Sequence, residues 1–568
     1  MRQEQQAGSL AVSPGDLGPL AETPDMYGAY PRLSEAQVSA LAALGGRRSV
    51  QPGELLFTEG DRTCDFFVVQ DGKAAVLEGY GTPGQQVISV HGPGRFLGEL
   101  SLLIGERLLV TAMALEPGKV VTVPLDRLRD VVARDSALGD LILRAYIIRR
   151  SILIGLGAGM RVIGSHFSPD ARRLRDFAAR NRLPHRWLDL EEDRQAEALL
   201  SQLGVTPEQT PVVILYGGEV LHNPSNAEMA SAIGLRAPVP QSSVFDLAVV
   251  GAGPSGLAAA VYGASEGLRT NVLEGIATGG QAGTSPRIEN YLGFPSGISG
   301  GELADRAAIQ AMKFGASISV PAEASAISDQ TGHYAITLSD GGVVSAQNVI
   351  IATGIRYRRL DVPNLEKFGG SSVYYAASQI EAMSCRGDPV AVVGGGNSAG
   401  QASLFLAQHA SAVTLVVRGP YLGQDMSHYL ADEIERNPKV MVMVHTEVTE
   451  LLGDETLEAV RAVDNQTGAT QMVPARALFV FIGAQPHTAW LSGLVDLDDD
   501  GYVRTGNGAM AGRDERSGVV PGHPMLETSR PGVYAVGDVR SGSIRRVASA
   551  VGEGAMAVRL VHERRAAS

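Results

Sequence analysis

The sequence predicts a multidomain protein that opens with an all-β roll plus helices and continues into α/β domains. Its length of 568 residues corresponds to three or four domains at roughly 100 to 200 residues each. Before Leu125, short apolar segments alternate with glycines, which is typical of a roll of short strands. In the second half, two buried strands each run into a glycine-rich turn and a helix of small residues, which indicates doubly wound α/β domains.

Composition excludes several classes of protein. The chain has 48 Lys and Arg against 61 Asp and Glu, a formal net charge of −13, which argues against general nucleic-acid binding. Only two cysteines occur, Cys64 and Cys385, so we expect neither a disulfide framework nor a metal site. The N-terminus lacks a signal-peptide pattern, and no apolar run approaches the roughly 18 residues of a membrane helix. We therefore expect a cytoplasmic protein that does not contact a membrane.

The first block joins a leader to the roll. Residues 1–30 are rich in Gly, Pro, Ala and Gln without periodicity, which predicts a disordered leader. Residues 31–157 then show a short helix behind Ser34, strands separated by glycines, and a helical apolar stripe from Leu125 to Leu156. Within this block, Arg95–Leu103 (RFLGELSLL) resembles the phosphate-binding cassette of the cyclic nucleotide-binding domain.

That resemblance implies a ligand site with one essential group missing. It assigns Glu99 to a ribose hydroxyl and requires an arginine for the cyclic phosphate, where Leu108 and Leu109 stand instead. Arg107 lies one residue early, and on a strand this shift turns a side chain to the other face. We therefore expect cyclic nucleotides to bind poorly or not at all. The alternatives are an intact cyclic-nucleotide sensor and a fold retained for docking or dimerisation, and we favour the second.

The second block, residues 158–238, has the order strand, helix, strand, helix, strand, with Pro211 entering the last strand after Thr210. This order resembles the thioredoxin and glutaredoxin fold, in which that proline is cis. The family's Cys-Pro-x-Cys motif is replaced by Ser168-Pro169-Asp170-Ala171, and thiol–disulfide exchange requires a sulfur. We interpret the block as a glutaredoxin-like domain without cysteines that acts as a binding platform, with a spacer as the alternative.

A dinucleotide-binding motif follows at the start of the third block. The strand Asp246–Val250 runs into Gly251-Ala252-Gly253-Pro254-Ser255-Gly256 and a helix of small residues. Gly251 permits the tight turn, Gly253 lets a pyrophosphate approach the backbone, and Gly256 lets the helix pack on the strand. Glu274 ends the next strand, where it can accept hydrogen bonds from ribose hydroxyls.

A second copy of the motif predicts a second dinucleotide. The strand Pro389–Val393 leads into a turn and a helix. The predicted contacts are Gly394, Gly396, Asn397, Ser398, Ala399 and, after the next strand, Arg418. Because the strand ends in Arg418 rather than an acid, a ribose 2′-phosphate is favoured over a free hydroxyl. The second dinucleotide is therefore predicted to be NADPH, with NADH as the alternative.

The third block as a whole resembles thioredoxin reductase of the low-molecular-weight type. The resemblance rests on both glycine turns, Gly279-Gly280-Gln281, the segment Ile288–Pro295, Ala352-Thr353-Gly354 and Gly532–Asp538. It implies a Rossmann-like α/β flavoprotein, in which residues 245–357 and 487–565 bind FAD and residues 358–486 bind NAD(P)H, and a homodimer. The implied FAD contacts are Gly251, Gly253, Pro254, Ser255, Gly256, Glu274, Gly280, Gln281, Asn290, Thr353, Gly354, Gly537, Asp538, Arg545, Arg546 and Val547.

The chain departs from these reductases at their redox centre. Where the family has Cys-x-x-Cys, this sequence has Ala376-Ala377-Ser378-Gln379, and Cys385 stands alone. We therefore predict an FAD-dependent NAD(P)H oxidoreductase that passes electrons to an acceptor other than an internal dithiol. No protein side chain is assigned a catalytic role, because the flavin carries the chemistry. The alternative is a signalling or scaffold protein in which the flavin part is a reporter and turnover is incidental.

Overall fold

The computed structural model describes residues 20–567 except 63, 83, 100–106, 217, 236–243, 286, 289, 369–371, 376, 378, 455, 492 and 511–523. Part of the predicted cassette (Leu100–Leu103), Glu289, Ala376 and Ser378 therefore lie outside the described residues. The chain forms two compact units, Met1–Pro238 with Met312–Phe314 and Val239–Ala311 with Gly315–Ser568. Among the described residues, no helix has the length and apolar character needed to cross a bilayer.

The first unit begins with the predicted β-roll. Its described elements are α1 (Glu35–Leu44), β1 (Gly46–Val50), β2 (Leu55–Phe57), β3 (Phe66–Asp71), β4 (Ala74–Glu78), β5 (Gln86–His91), β6 (Phe96–Leu97), β7 (Thr111–Ala114), β8 (Gly118–Val123), α2 (Leu125–Arg134) and α3 (Ser136–Leu156). The strands form two antiparallel sheets, ordered β1-β8-β3-β6 and β2-β7-β4-β5. Phe67 and Val69 of β3 face one apolar cluster while Phe66 and Val68 pack with residues of the helices, as the period of two requires.

The predicted leader is wrong for its last residues. Thr23 N–H donates to the Val90 carbonyl at 3.1 Å, and Arg149 Nε donates to the Ala29 carbonyl at 2.6 Å. Tyr30 is only 5% exposed. Residues 20–30 are therefore pinned to the roll by partners that are distant in sequence, which a compositional argument cannot detect. The earlier residues, 1–19, lie outside the described part of the chain.

The second block contains a sheet ordered β10-β9-β11-β12. Its elements are β9 (Met160–Gly164), α4 (Pro169–Arg180), β10 (His185–Asp189), α5 (Arg194–Leu203), β11 (Val212–Ile214), β12 (Val220–His222) and α6 (Asn226–Ile233). Strand β10 is parallel to β9, whereas β11 is antiparallel to both β9 and β12. The Thr210–Pro211 peptide bond is cis, as the resemblance implies. The roll and this block each have an apolar cluster of their own, and a further cluster contains residues of both.

The second unit opens with a mixed sheet whose parallel strands carry the first glycine turn. Its elements are β13 (Val244–Val250), α7 (Pro254–Ser265), β14 (Thr270–Leu273), α8 (Gly280–Gly283), α9 (Gly300–Lys313), β15 (Ser317–Ser319), β16 (Ala324–Gln330), β17 (His333–Leu338) and β18 (Val343–Ile351). The last two residues of α9, Met312 and Lys313, are grouped with the first unit. Strand β13 lies between β14 and β18 and is parallel to both, so the carboxyl ends of all three meet at one edge. That edge is where doubly wound sheets bind ligands.

A second parallel sheet, ordered β20-β27-β21-β22-β23, carries the second glycine turn. This part contains β19 (Ile355–Tyr357), α10 (Leu365–Phe368), β20 (Val373–Tyr374), α11 (Gln379–Ser384), β21 (Pro389–Val393), α12 (Asn397–Ala407), β22 (Ala412–Val416), α13 (His428–Arg436), β23 (Val440–Met443), β24 (Thr446–Leu452), β25 (Ala459–Asp464), β26 (Thr470–Pro474), β27 (Ala477–Val480) and β28 (Ala484–Pro486). Strands β19 and β28 pair as an antiparallel two-stranded ribbon. β19 lies where the chain leaves the first sheet of this unit for the second, and β28 lies where it returns.

The chain then returns to the first sheet of this unit. Strand β29 (Val533–Ala535) pairs with β18 in parallel, and α14 (Val547–Ala567) follows it. Gly554 of α14 lies so close to α7 that an added Cβ would clash with the Ser255 carbonyl oxygen. The C-terminal segment is thereby held beside the first glycine turn, although nearly 300 residues separate them in sequence.

Candidate functional site

Two glycines of the first turn are required by the protein's own packing. Gly251 has a φ of +105°, and an added Cβ would clash with the Ala352 carbonyl oxygen. A Cβ at Gly256, the third residue of α7, would clash with the Gly251 carbonyl oxygen. These residues therefore fix the turn between β13 and α7, as the sequence predicts.

Gly253 is not explained by packing. Its φ of −72° is open to any residue, and the nearest heavy atom to an added Cβ is the Gly280 Cα at 3.9 Å. The space that a side chain would fill is left open at the N-terminus of α7, directly before Pro254 and the buried Ser255. A helix N-terminus presents unpaired N–H groups and partial positive charge. We call the open space at Gly253 and the N-terminus of α7 the first cradle, and it fits a pyrophosphate.

Glu274 lies beside this cradle, at the carboxyl end of β14. Its carboxylate accepts hydrogen bonds from the Ala252 N–H at 2.7 Å and the Ile276 N–H at 2.9 Å. Burial raises the pKa of Glu274 above its ordinary value, and these N–H donors oppose that rise. The carboxylate is thus oriented by the turn itself, and its remaining acceptor positions suit ribose hydroxyls.

Further predicted residues surround the same turn. Gly279 N–H donates to the Ala252 carbonyl at 2.7 Å, which lays the loop before Gly280 against Gly253. Gln281 Nε2 donates to the Ile355 carbonyl at 3.3 Å, and Thr353 Oγ1 donates to the His487 carbonyl at 2.9 Å. Gly354 follows with a φ of +61°.

The C-terminal fingerprint is brought to the same place. A Cβ at Gly537 would lie 2.6 Å from Ser255 Oγ, so Gly537 touches the start of α7. Asp538 follows it, and burial together with Glu553 raises the pKa of its carboxyl group, while Arg545 opposes the rise. The two ends of the predicted FAD-binding part therefore converge on one turn.

Glu553 is a residue that the sequence reasoning missed. Its carboxylate accepts from the Gly537 N–H at 2.6 Å and pairs with Arg540 at 2.5 Å. It thereby fixes the backbone that presents Asp538. The signal in the sequence is an acid inside the small-residue first half of α14.

Four of the residues that are predicted to contact FAD are exposed or half-buried in the structure. Asn290, Arg545 and Arg546 are exposed, and Val547, the first residue of α14, is half-buried. Arg545 donates to the Tyr502 hydroxyl at 2.7 Å and lies over its ring. The protein's own atoms therefore do not bring these side chains into the turn.

The first two glycines of the second turn have the same separate roles as those of the first turn. Gly394 has a φ of +145°, and an added Cβ would clash with the Phe481 carbonyl oxygen. Gly396 has a φ of −93°, and its nearest neighbour would be the Asp425 carbonyl oxygen at 3.9 Å. The fully buried Ala399 replaces the third glycine. Here too the first glycine serves the fold, and the second leaves room for a ligand at a helix N-terminus.

A second helix begins beside this turn. Ser427, at the start of α13, donates its N–H to Asn397 Oδ1 at 2.8 Å, and its hydroxyl oxygen is buried with no partner among the described residues. Ser398 and Arg418 are exposed at the same edge of the sheet. Ser427 was not predicted, because its proximity to Asn397 arises only when α12 and α13 pack together.

The two cysteines have different surroundings. Cys385 is 3% exposed, its Sγ donates to the Glu381 carbonyl at 3.1 Å, and burial raises the pKa of its thiol to about 11. Cys64 lies in the other compact unit. Of the four positions where the reductases carry their dithiol, Ala377 is buried and Gln379 begins α11.

Comparison with known proteins agrees with this architecture. Residues 245–554 match the family described as pyridine nucleotide-disulphide oxidoreductase, and residues 47–135 match the cyclic nucleotide-binding domain. Thioredoxin reductase of Streptomyces clavuligerus is 32% identical over 318 residues, covering 56% of this chain and 92% of that protein. Thioredoxin reductase of Treponema pallidum is 34% identical over 313 residues, covering 55% and 94%.

Solved structures give the same result. The crystal structure of T. acidophilum thioredoxin reductase is similar with a TM-score of 0.50 and 31% identity, covering 57% of this chain and 99% of that one. That of Lactococcus lactis thioredoxin reductase has a TM-score of 0.50 and 28% identity, covering 56% and 98%. The chain is therefore an oxidoreductase of the pyridine nucleotide-disulphide oxidoreductase family, fused to an N-terminal cyclic nucleotide-binding domain.

Proposed function

We propose that this protein is an FAD-dependent NAD(P)H oxidoreductase that transfers electrons to an acceptor other than a dithiol of its own chain. The observation that carries this proposal is the pairing of two open glycine cradles with a sequence that has only Cys64 and Cys385. Bound FAD would take hydride from the nicotinamide and release the electrons to the acceptor. The chain's own residues hold and orient the cofactors.

For FAD, we assign the pyrophosphate to the cradle at Gly253 and the N-terminus of α7. Glu274 would accept hydrogen bonds from the hydroxyls of the adenosine ribose. Gly537 and Asp538 would contact the ribityl chain, which joins the pyrophosphate to the flavin ring. The remaining assigned contacts are Gly251, Pro254, Ser255, Gly256, Gly280, Gln281, Asn290, Thr353, Gly354, Arg545, Arg546 and Val547. The assignment is supported by the convergence of both fingerprints on Ser255.

Replacing Glu274 with alanine should weaken FAD retention. A hydrogen bond to a charged group contributes roughly 1.5 to 3 kcal/mol, so the dissociation constant for FAD should rise about 10- to 100-fold. Glu274→Gln keeps one acceptor oxygen, so its dissociation constant for FAD should lie between those of the unaltered protein and Glu274→Ala. Flavin content after dialysis measures the effect, with Glu302→Ala of α9, whose half-buried carboxylate pairs with Arg306, as the control. Full flavin occupancy in Glu274→Ala would contradict the placement of the ribose.

For NADPH, we assign the pyrophosphate to the second cradle, at Gly396 and the N-terminus of α12. Asn397, Ser398 and Ala399 line the start of that helix after Gly394. Arg418 would pair with the 2′-phosphate, and NADH would bind more weakly because it lacks this group. The hydroxyl of Ser427 is a further donor at this edge, supported by its buried position next to Asn397.

The acceptor is inferred from the chemistry that the chain lacks. A thiol with a pKa of about 11 is protonated at neutral pH, so the buried Cys385 is a poor nucleophile. The sequence also lacks the Cys-x-x-Cys of the reductases and has Ala376-Ala377-Ser378-Gln379 at those positions. We therefore propose a one-electron protein carrier, a quinone or dioxygen as the acceptor.

We further propose that residues 158–238 have a thioredoxin-like fold without its redox function. The strand order β10-β9-β11-β12 and the cis Thr210–Pro211 bond support this assignment. Ser168 caps α4 by accepting from the Ala171 N–H at 3.3 Å, so a hydroxyl occupies the position of the redox thiol. From the resemblance to thioredoxin reductases we also propose a homodimer, which sedimentation of the purified protein would test.

Steady-state NADPH oxidation with a panel of acceptors tests the proposed function. We expect rapid turnover with a ferredoxin, a quinone or dioxygen, and little with oxidised thioredoxin. The opposite preference would contradict the proposal. The second candidate, a sensor or scaffold, is favoured because each N-terminal block resembles a known family but lacks that family's defining group, the phosphate-binding arginine in the roll and the redox cysteines in the second block. It predicts fast flavin reduction in stopped flow but negligible turnover with every acceptor.

A further inference from the structure

The stretch Arg107–Val110 of the roll is covered by the second block of the same chain. Leu108, Leu109 and Val110 are 2–3% exposed and belong to the apolar cluster that also contains Met229 and Ile233 of α6. The N–H of Arg107 donates to the Ile233 carbonyl at 3.1 Å. This carbonyl is at the C-terminus of α6, where the last carbonyls have no partner within the helix.

The Arg107 side chain also contacts the second block. Its guanidinium lies 3.3 Å from Glu219, in the turn before β12. The backbone N–H of Arg107, rather than its side chain, meets the C-terminal end of α6, which carries partial negative charge. The guanidinium that a cyclic phosphate would need is therefore already paired with a carboxylate of the second block.

Two further hydrogen bonds join the roll to the second block at other residues. Gly159 N–H donates to Glu78 Oε1 at 3.1 Å, and Glu78 is 7% exposed. Arg150 of α3 donates to the Arg182 carbonyl at 3.4 Å. The blocks are thus joined by hydrogen bonds at several residues in addition to the shared apolar cluster.

We propose that this face of the roll is a docking surface whose occupant is the second block, residues 158–235, and that the two blocks open and unfold as one cooperative unit. The cyclic nucleotide-binding domain then serves as a carrier for the second block rather than as a ligand sensor. Two elements that share one buried cluster cannot separate without exposing it to water, which gives the cooperativity its physical basis.

Hydrogen exchange of the full-length FAD-loaded protein, read by mass spectrometry, tests this proposal. We expect peptides that include Arg107–Ala114 and peptides of α6 to exchange at matching rates. Millimolar cyclic AMP should change neither. Glu219→Lys places two cations side by side and should speed exchange in both regions about three- to tenfold. The matched control is Glu192→Lys, the same charge change at an exposed position of the same block.

The charge-swapped pair Arg107→Glu with Glu219→Arg should recover most of the protection lost in Glu219→Lys. If Glu219→Lys speeds exchange only in the second block, the two blocks are independent and the proposal is wrong. If cyclic AMP slows exchange at residues 107–114 and speeds it in α6, the face is a nucleotide site from which the second block is displaced. That outcome would also overturn the proposal.

Discussion

Replacing Gly253 with valine is expected to remove FAD from the protein while leaving its fold intact. The backbone at Gly253 has a φ of −72°, which valine adopts, and no heavy atom lies within 3.9 Å of an added Cβ. The branched side chain would instead fill the cradle at the N-terminus of α7, where the pyrophosphate must approach the backbone. Flavin occupancy should fall from about one per chain to nearly none, and NADPH oxidation should fall with it.

Two other glycines serve as controls for this variant. Gly552 of α14 is exposed with no heavy atom within 4 Å of an added Cβ, so Gly552→Val should keep its flavin. Gly256→Ala should instead destabilise the fold, because its Cβ would clash with the Gly251 carbonyl oxygen. Because Gly253 caps α7, a stability loss of about 1 kcal/mol is expected in Gly253→Val. A Gly253→Val protein that purifies yellow and retains its flavin on dialysis would disprove the proposed pyrophosphate site.

Replacing Arg418 with alanine is expected to convert a preference for NADPH into near indifference between the two nicotinamide cofactors. Arg418 is exposed two residues after β22, the strand whose end faces the adenosine ribose in this type of sheet. Loss of a charge-assisted contact with the 2′-phosphate should raise the KM for NADPH roughly 10- to 100-fold. The KM for NADH should change little, because NADH lacks that phosphate.

The matched control is Arg436→Ala, which removes an exposed arginine of α13 from the same part of the chain. Arg418→Lys separates charge from geometry: a lysine keeps the charge but not the planar fork, so an intermediate KM is expected. Equal increases in KM for NADPH and NADH would show that Arg418 acts on a feature common to both cofactors.

Local sequence predicted the glycine turns because each depends on residues that are close in sequence. Gly251, Gly253 and Gly256 lie within one strand–turn–helix unit, and the structure separates their roles without changing their order. Glu274 was predicted for the same reason, as the end of the next strand. These positions follow from chain geometry that any such unit must satisfy.

The features that sequence reasoning missed all depend on tertiary contacts. Glu553 reaches Gly537 because α14 packs on α7, and Ser427 reaches Asn397 because α13 packs beside α12. The predicted leader failed for a similar reason, since the carbonyl of Ala29 is bound by Arg149, 120 residues away. Composition and periodicity describe neighbours in sequence, so they carry no information about such partners.

The central claim, that electrons leave this enzyme without a thiol of its own, is tested most directly by the cysteine-free variant Cys64→Ser with Cys385→Ser. A serine at position 385 can donate to the Glu381 carbonyl as the thiol does, so the fold should survive. We expect FAD content, the rate of flavin reduction by NADPH in stopped flow, and turnover with the best acceptor to match those of the unaltered protein. Loss of turnover with FAD content and Tm unchanged would show that a cysteine carries the electrons, through a mixed disulfide with a partner, and would contradict the account.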